Sequence, residues 1–450
     1  MRDISSPLDG IASPFGPQRT KTLTQLLFAS NEPGFTFEPW DITTLYQDRA
    51  GTTPVTAAGQ SVGYRRDKSG RGNHQVAVSD AKRGVYGWMP KTGKRNLLTY
   101  TSFEGAVSGT PGTAPTGFSF NASGGSITSV SGGVIAFSAT AARQIVGSAV
   151  SVAANETHTW RIQLVNNSNG LVFNQLFAAI NTAGVVSLAY KANGATIDQT
   201  SYVPVSGDVL SATMVNGASP ITPVFRFGVG ATAIATGSAS FKEPQAEVGA
   251  SATAYQRVVS QYDITEAGVP TCYYVQADGV DDAYVTPTIT PGTDKVQVFA
   301  GMRKLSDAAT SIFMESSGSS VSNTGAFGIF TPDGANKYIF LSRGTTSAFA
   351  LTTSTSFAAP VTNVFTGIGD ISADTSILRI DGSQIASSVT DQGTGNFLAY
   401  PIYIYARSGG AIPFNGLDFG HAVRFGPSLS AATIAQVERL IARNTPEVTL

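Results

Sequence analysis

Three carboxylates, Asp278, Asp281 and Asp282, stand within a single short run, QADGVDD at Gln276–Asp282. Hard oxygen ligands spaced this closely can hold Ca²⁺. The same residues at a strand entry can instead form a tight turn, the Asp side chains accepting hydrogen bonds from turn amides. Both readings stand at the level of sequence, and Ca²⁺ is the only cofactor the chain suggests. Nucleophile chemistry finds less support. Gly59-Gln-Ser61-Val-Gly63 matches the G-x-S-x-G elbow, but that elbow needs a strand before the serine and a helix after it, and here Arg65, Arg66 and a loop follow. Gly228-Val-Gly230-Ala-Thr-Ala233 mimics a dinucleotide fingerprint, yet the following ATGSASF reads as a strand rather than a phosphate-cradling helix. His74, His158 and His421 fall in separate segments, without the i+2 or i+4 partners of a metal cluster. Glycoside cleavage needs two carboxylates across the scissile bond, and nothing in the spacing of Asp278, Asp281, Asp282, Asp370, Asp374 or Asp381 selects such a pair. Sugar binding would use aromatic faces, for which Trp160, Tyr403, Tyr405 and Trp88 are candidates. Alternation within IYIYAR must send part of this set inward. No catalytic residues are expected.

These side chains have to be positioned by strands. Charged residues make up 13% of the 450, the net charge is −1, and there are 48 glycines, so solubility rests on hydroxyls and backbone, as in many-stranded folds with frequent turns. The length allows two or three domains. A modest basic excess in the first hundred residues is scattered through turns and reads as a solvated face, so nucleic acid is not an expected partner. Cys272, the single cysteine, lies in an apolar run and reads as a buried thiol. No run reaches the roughly 20 apolar residues of a membrane span. The N-terminus, with two prolines by residue 14, lacks a signal-peptide pattern. Membrane insertion is not expected, and the chain reads as cytoplasmically synthesised.

Along the chain, residues 1–34 alternate SPLDG and SPFGPQR turn signals and read as an extended arm, with Leu8, Ile11 and Phe15 as isolated apolar anchors for a partner's surface. Asp41 can cap a short helical turn. DKSGRGNH forms a tight loop. Strand-length runs fill 96–257 and recur from Tyr273 onward, where Asp381-Gly382 between two alternating segments signals a hairpin. The one convincing helix follows Ser430, with Ile434, Val437, Leu440 and Ile441 on one face.

The pattern W-D-x-x-x-L-Y-Q-D-x-A-G-T-T-P-V-T … V-G … D-K-S-G-R-G-N-H resembles a family of phage and prophage structural proteins, in which it precedes a concanavalin A-like (laminin-G-like) sandwich and an F-D-G-V-D-D-like signature. Here that signature is QADGVDD, some 200 residues beyond His74. Residues 96–257, opening NLLTYTSFEGA and closing PQAEVGASATAYQR, resemble carbohydrate-binding-module-like jelly rolls. The resemblance implies an all-β protein: an arm (1–34), a discontinuous concanavalin A-like sandwich (35–94 and 260–450) and an inserted jelly roll of eight to ten strands (95–259). It implies a virion location as a head, collar or tail fibre or decoration subunit, with other virion proteins as partners through the arm, homo-oligomers (dimer or trimer), and a lectin-like face for host-surface polysaccharide. A polysaccharide-degrading tail protein and a purely structural decoration subunit are the alternatives.

Overall fold

The computed structural model describes residues 21–333, 336–351 and 357–450; Leu8, Ile11 and Phe15 lie outside them. The chain is all-β, arranged as packed pairs of sheets with a helix near the C-terminus. One pair consists of a ten-stranded and a nine-stranded sheet, drawn from both ends of the chain. Leu45, Val62, Ala77 and Tyr86 share its core with Val275, Val298, Phe313, Phe365 and Val423. The second pair, of seven and four strands, is built from Ser119–Ala122 through Ala235–Val248 around a separate core that includes Trp160, Phe177, Phe227 and Phe241. Its eleven strands exceed the eight to ten expected, because short segments such as Ala195–Thr196 also join the ladders.

Two strands at the centre of the ten-stranded sheet, Lys295–Lys304 and Asn415–Phe425, are buried along almost their whole length. One face meets the opposed sheet through Val296, Val298 and Val423. The other is roofed by the helix Ala431–Arg443, where Val437 and Ile441 pack on Phe299, Val364 and Ala422. Ser430 caps this helix, its hydroxyl accepting from the Thr433 amide at 3.1 Å. On its flank Glu438 is buried rather than solvated, because Arg379 meets it with two N–H groups at 2.7 and 3.1 Å.

Of the expected arm, residues 21–34 pack on the first pair of sheets, and residues 1–20 lie outside the described residues. Leu23, Leu26 and Leu27, at helical spacing in Leu23–Leu27, bury against the C-terminal helix, and Gly34–Phe37 pairs with the sheet opposite Arg424–His421. These leucines complete a core supplied by the C-terminal helix and the sheet beneath it. The hairpin Asp381-Gly382 forms as read, with φ of +48° and +75° joining Thr375–Ile380 to Ser383–Ser388.

At the neck of the second pair the entering and leaving chains lie side by side. Gln256 Oε1 accepts from the Arg95 amide at 2.7 Å, Gln256 Nε2 donates to Gly93 O at 2.9 Å, and Asn96 Nδ2 donates to Gln256 O at 2.9 Å. The ten-stranded sheet already resumes at Gln256–Ser260, which pairs with Asp263–Glu266, so a boundary at 259 would cut a strand. Val258 fixes this hairpin by burying with Met89, Ile264 and Cys272.

Between the two large sheets sits a fully buried guanidinium. Arg65 donates to Tyr405 Oη at 2.8 Å and to Gln75 Oε1 at 3.2 Å, stands 3.5 Å from the Asp418 carboxylate, and lies over the Tyr284 ring. Removing one member of such a group leaves a buried charge uncompensated. Arg65→Met is therefore expected to lower unfolding free energy by about 3–5 kcal/mol, read from urea unfolding of the first pair of sheets; a loss within measurement error would show the network to be dispensable.

Candidate functional site

The Asp278, Asp281 and Asp282 carboxylates do come together, with oxygens within 4.8 Å of one another. Thr271–Asp278 delivers the first and the turn into Tyr284–Val285 the other two. Asp278 Oδ1 accepts from the amides of Val280 and Asp281 at 2.8 and 3.3 Å, and Asp282 Oδ2 accepts from the Asp278 amide at 3.0 Å. The loop is thus a carboxylate-capped turn. Asp278 Oδ2, the Asp281 carboxylate and Asp282 Oδ1 accept nothing from other described residues, so these are the oxygens a calcium ion would use. Asp282 is only 6% exposed. Burial, then the charges of Asp278 and Asp281, push its carboxyl up to about 6, against the Asp278 amide hydrogen bond and the nearby Arg65.

Two of the aromatic residues expected to stack on sugar cannot reach one. Trp160 is fully buried, its ring packed beside Phe225 in the core of the second pair. Tyr405 is also fully buried, its hydroxyl donating to Asp418 Oδ2 at 2.8 Å while accepting from Arg65. The strand ends at Ile404, and Tyr405 takes φ +71°, so strict alternation breaks and the ring turns inward. Tyr403 remains half-buried on the outward side.

The residues that resembled catalytic motifs are engaged otherwise. Ser61 bridges Val85 and is followed by the strand Tyr64–Arg65. His421 pairs with Asp418 through Nδ1 at 2.8 Å, the arrangement of a base and its orienting carboxylate, but its Nε2 faces Gln75 Nε2 at 2.7 Å and both His421 and Asp418 are fully buried. Burial alone would raise the Asp418 carboxyl; the adjoining His421 ring, then Arg65, hold it below the usual carboxylate range. His158 bonds Glu156 at 2.8 Å from within its own strand. Gly230 turns the chain into the strand Ala235–Val248. Cys272 is buried, which pushes its thiol up to about 11.

An open aromatic cleft lies elsewhere. On Val85–Pro90, Tyr86 and Trp88 face the same side as Tyr273 of the neighbouring strand, whose register partner is Trp88. Trp40 and Ile42, brought in by the 3₁₀ turn that Asp41 caps, form the other wall, and Thr265 and Thr271 the rim. The enclosed volume is about 380 Å³. Tyr86 and Tyr273 run nearly parallel, at 9° and 6.3 Å between centroids, with Trp88 edge-on to both. The Trp88 ring is fixed by its Nε1 donating to Asp263 Oδ1 at 2.9 Å, and Tyr86 by its hydroxyl donating to Pro39 O at 3.3 Å. Burial also raises the Tyr86 phenol well above its ordinary value, so it stays neutral. Neither Tyr273 nor Thr271 commits its hydroxyl to another described residue, which leaves polar groups beside the rings. Such a floor of ring faces with a few hydroxyls suits a ligand with one apolar and one hydroxylated face.

Of this cleft, sequence reading had found only Trp88. The alternation of Tyr86 and Trp88 in VYGWMP was a usable signal; the cross-strand approach of Tyr273 and the wall from Trp40 come from tertiary packing.

No protein-family model and no curated protein sequence matches this chain. Among solved structures, it overlaps the CBM40 of a Ruminococcus gnavus IT-sialidase bound to α2,3-sialyllactose, at 15% identity over 32% of this chain and 82% of that one, with a TM-score of 0.27. Mouse laminin α1 domains LG4–5 overlap at 10% identity over 63% and 88%, TM-score 0.25. Trypanosoma rangeli sialidase overlaps at 12% identity over 37% and 27%, TM-score 0.28. The reading of the site rests on its own geometry.

The Asp282 carboxyl gives a pH-dependent signature. Because its folded value of about 6 stands above the ordinary 3.8, the folded state holds this proton more tightly than the unfolded chain, and the associated stability is present in full below about pH 4 and is lost as pH rises through 6. Asp282→Asn, whose side-chain oxygen can still accept from the Asp278 amide, should be more stable than the parent by roughly 2–3 kcal/mol at pH 7 and indistinguishable from it at pH 3.5. Parallel melts across this range check it, and an equal difference at both pH values would contradict the assignment.

Proposed function

We propose that this chain is a non-enzymatic virion-surface protein that binds host-surface polysaccharide through the cleft of Trp40, Trp88 and Tyr273. The observation that carries the reading is the set of partly exposed rings of Trp40, Trp88 and Tyr273, the last two braced by the buried Tyr86, with uncommitted hydroxyls at Tyr273 and Thr271. Sugar rings present C–H faces that stack on aromatics and equatorial hydroxyls that need partners, and both are offered here. None of the described residues lining the cleft is a carboxylate, which favours binding over the two-carboxylate chemistry of glycoside hydrolysis.

Support for the phage assignment comes from the W-D-x-x-x-L-Y-Q-D and QADGVDD patterns. In this reading residues 1–20 join the subunit to other virion proteins or to further copies of itself, and the two sandwiches project toward the host.

The test is affinity electrophoresis or calorimetry of the whole protein with polysaccharide from the host surface. Trp88→Ala and Tyr273→Ala should each weaken binding by about tenfold, the equivalent of about 1.4 kcal/mol, with unchanged melting of the second sandwich. Reducing ends should not appear on prolonged incubation; their release would replace this reading with that of a depolymerase, and undiminished binding by both variants would remove the cleft from it.

A further inference from the structure

The outer face of the four-stranded sheet carries an arginine without a partner. Cross-strand register puts Ala178, Arg226, Gly147 and Ser119 in one row, and Gly228, Ile145 and Asn121 in the next. The alternate residues, Val146, Phe225 and Phe227, point into the core. With so many small residues the outward face is a trough, and it stays one: a Cβ at Gly147 would stand 3.1 Å from Arg226 Cγ and 2.9 Å from Val224 Cγ1, and one at Gly228 would stand 2.3 Å from Gln144 O. The depression holds about 210 Å³, with Ser119, Asn121, Gly147 and Arg226 in its lining.

The Arg226 guanidinium makes no hydrogen bond or ion pair with any other described residue, and the charge that acts on it, that of Arg143, is of its own sign. Arg143, which donates to Thr232 O at 2.7 Å, stands beside it. Burial and then Arg143 depress the proton affinity of Arg226, so an anion in the trough would relieve both penalties. Other half-buried arginines find partners: Arg161 has Glu243, Arg379 has Glu438 and Arg407 has Glu315, while Arg83 and Arg343 donate to backbone carbonyls. Arg226 is instead left with a groove. Asn121 is exposed at its edge with an uncommitted side-chain amide, and the Ser119 hydroxyl, donating to Gly147 O at 2.9 Å, retains its acceptor capacity.

We propose that this trough is a second binding site, for a carboxylate-bearing sugar, with Arg226 gripping the carboxylate and Asn121 and Ser119 meeting ring hydroxyls. A planar guanidinium matches a carboxylate through two parallel N–H···O bonds, and the small floor admits a ring alongside it. That the carboxylate is carried by a sugar rests on the carbohydrate-binding reading above; that an anion binds here rests on the trough alone.

The experiment titrates the whole protein with trigalacturonate and with its methyl ester, which share their rings and differ in charge. The acid should bind at least about tenfold more tightly than the ester. Arg226→Met, which retains the stem across the sheet, should erase that preference, while Trp88→Ala should leave it intact. Equal binding of acid and ester, or a preference surviving Arg226→Met, overturns the proposal. Sodium sulfate displacing the acid as effectively as trigalacturonate itself would also overturn it, reducing the site to one for simple anions. If neither trisaccharide binds, this site fails, and Trp88-dependent binding of host polysaccharide in the same preparation decides the cleft separately.

Discussion

A charge buried between two sheets constrains everything around it. Arg65 has no water to solvate it, so its charge must be met by the protein, and Tyr405, Gln75 and Asp418 meet its two terminal nitrogens from three different strands or turns, while Nε is left without a partner. Each of these partners is itself fixed by the arrangement. Gln75 gives its Oε1 to Arg65 and so presents Nε2 to His421 Nε2, which leaves His421 Nδ1 facing Asp418. One-residue slippage of Tyr64–Arg65 against Gln75–Ala77 would send the guanidinium to the outer face and leave Asp418 without it. Polar groups in this core therefore specify register where apolar packing alone would tolerate alternatives.

The same network encloses a histidine–aspartate pair. Its geometry is that of a base with an orienting carboxylate, yet its open nitrogen meets an amide and the surrounding rings of Phe35, Phe37 and Phe313 close the space above it. The aromatic cleft differs in its neighbours. Tyr86, Trp88 and Tyr273 continue the inner face of the ten-stranded sheet toward its edge hairpin, and what faces them is the Trp40–Ile42 segment rather than a full strand. Trp88 and Tyr273 are thereby left partly accessible, while Tyr86 beneath them is buried.

Much of the fold was legible in the sequence, because strand periodicity and turn chemistry are local. The Asp381-Gly382 hairpin, the Asp41 cap and the Ser430 helix follow from a few adjacent residues. Less legible was anything decided by packing at a distance. Glu438 reads as a solvated helix residue until Arg379 arrives from another strand, and Leu23, Leu26 and Leu27 read as a weak arm until the C-terminal helix covers them. The sites divide the same way. QADGVDD brings its carboxylates together by proximity in the chain, as its spacing suggested. Trp160 and Tyr405 were plausible as sugar platforms only while their burial was unknown, and the left-handed residue that turns Tyr405 inward leaves no sequence signature, since it is neither Gly nor Asn.

The position of the second sandwich bears on the cleft in the first. Its exit strand leads at once into the hairpin Gln256–Ser260 and Asp263–Glu266, which supplies Thr265 to the rim and Asp263 to the Trp88 indole. That hairpin is anchored from the other side by residues at the start of the second sandwich: Thr101 O and Tyr255 share a hydrogen bond, and the Thr101 hydroxyl accepts from the Val258 amide at 2.9 Å. The edge of the ten-stranded sheet is thereby tied to the neck of its neighbour. A rigid body of eleven strands attached at this edge holds the hairpin against Val85–Pro90, to which it is joined by only a single parallel bridge, Asp263 beside Trp88. Without that attachment, the hairpin would be held by that bridge, the Trp88–Asp263 and Thr92–Glu266 hydrogen bonds and the Val258–Ile264 packing. The orientation of the Trp88 ring, and with it the shape of the cleft, therefore depends on the folding of a domain that contributes no side chain to its walls.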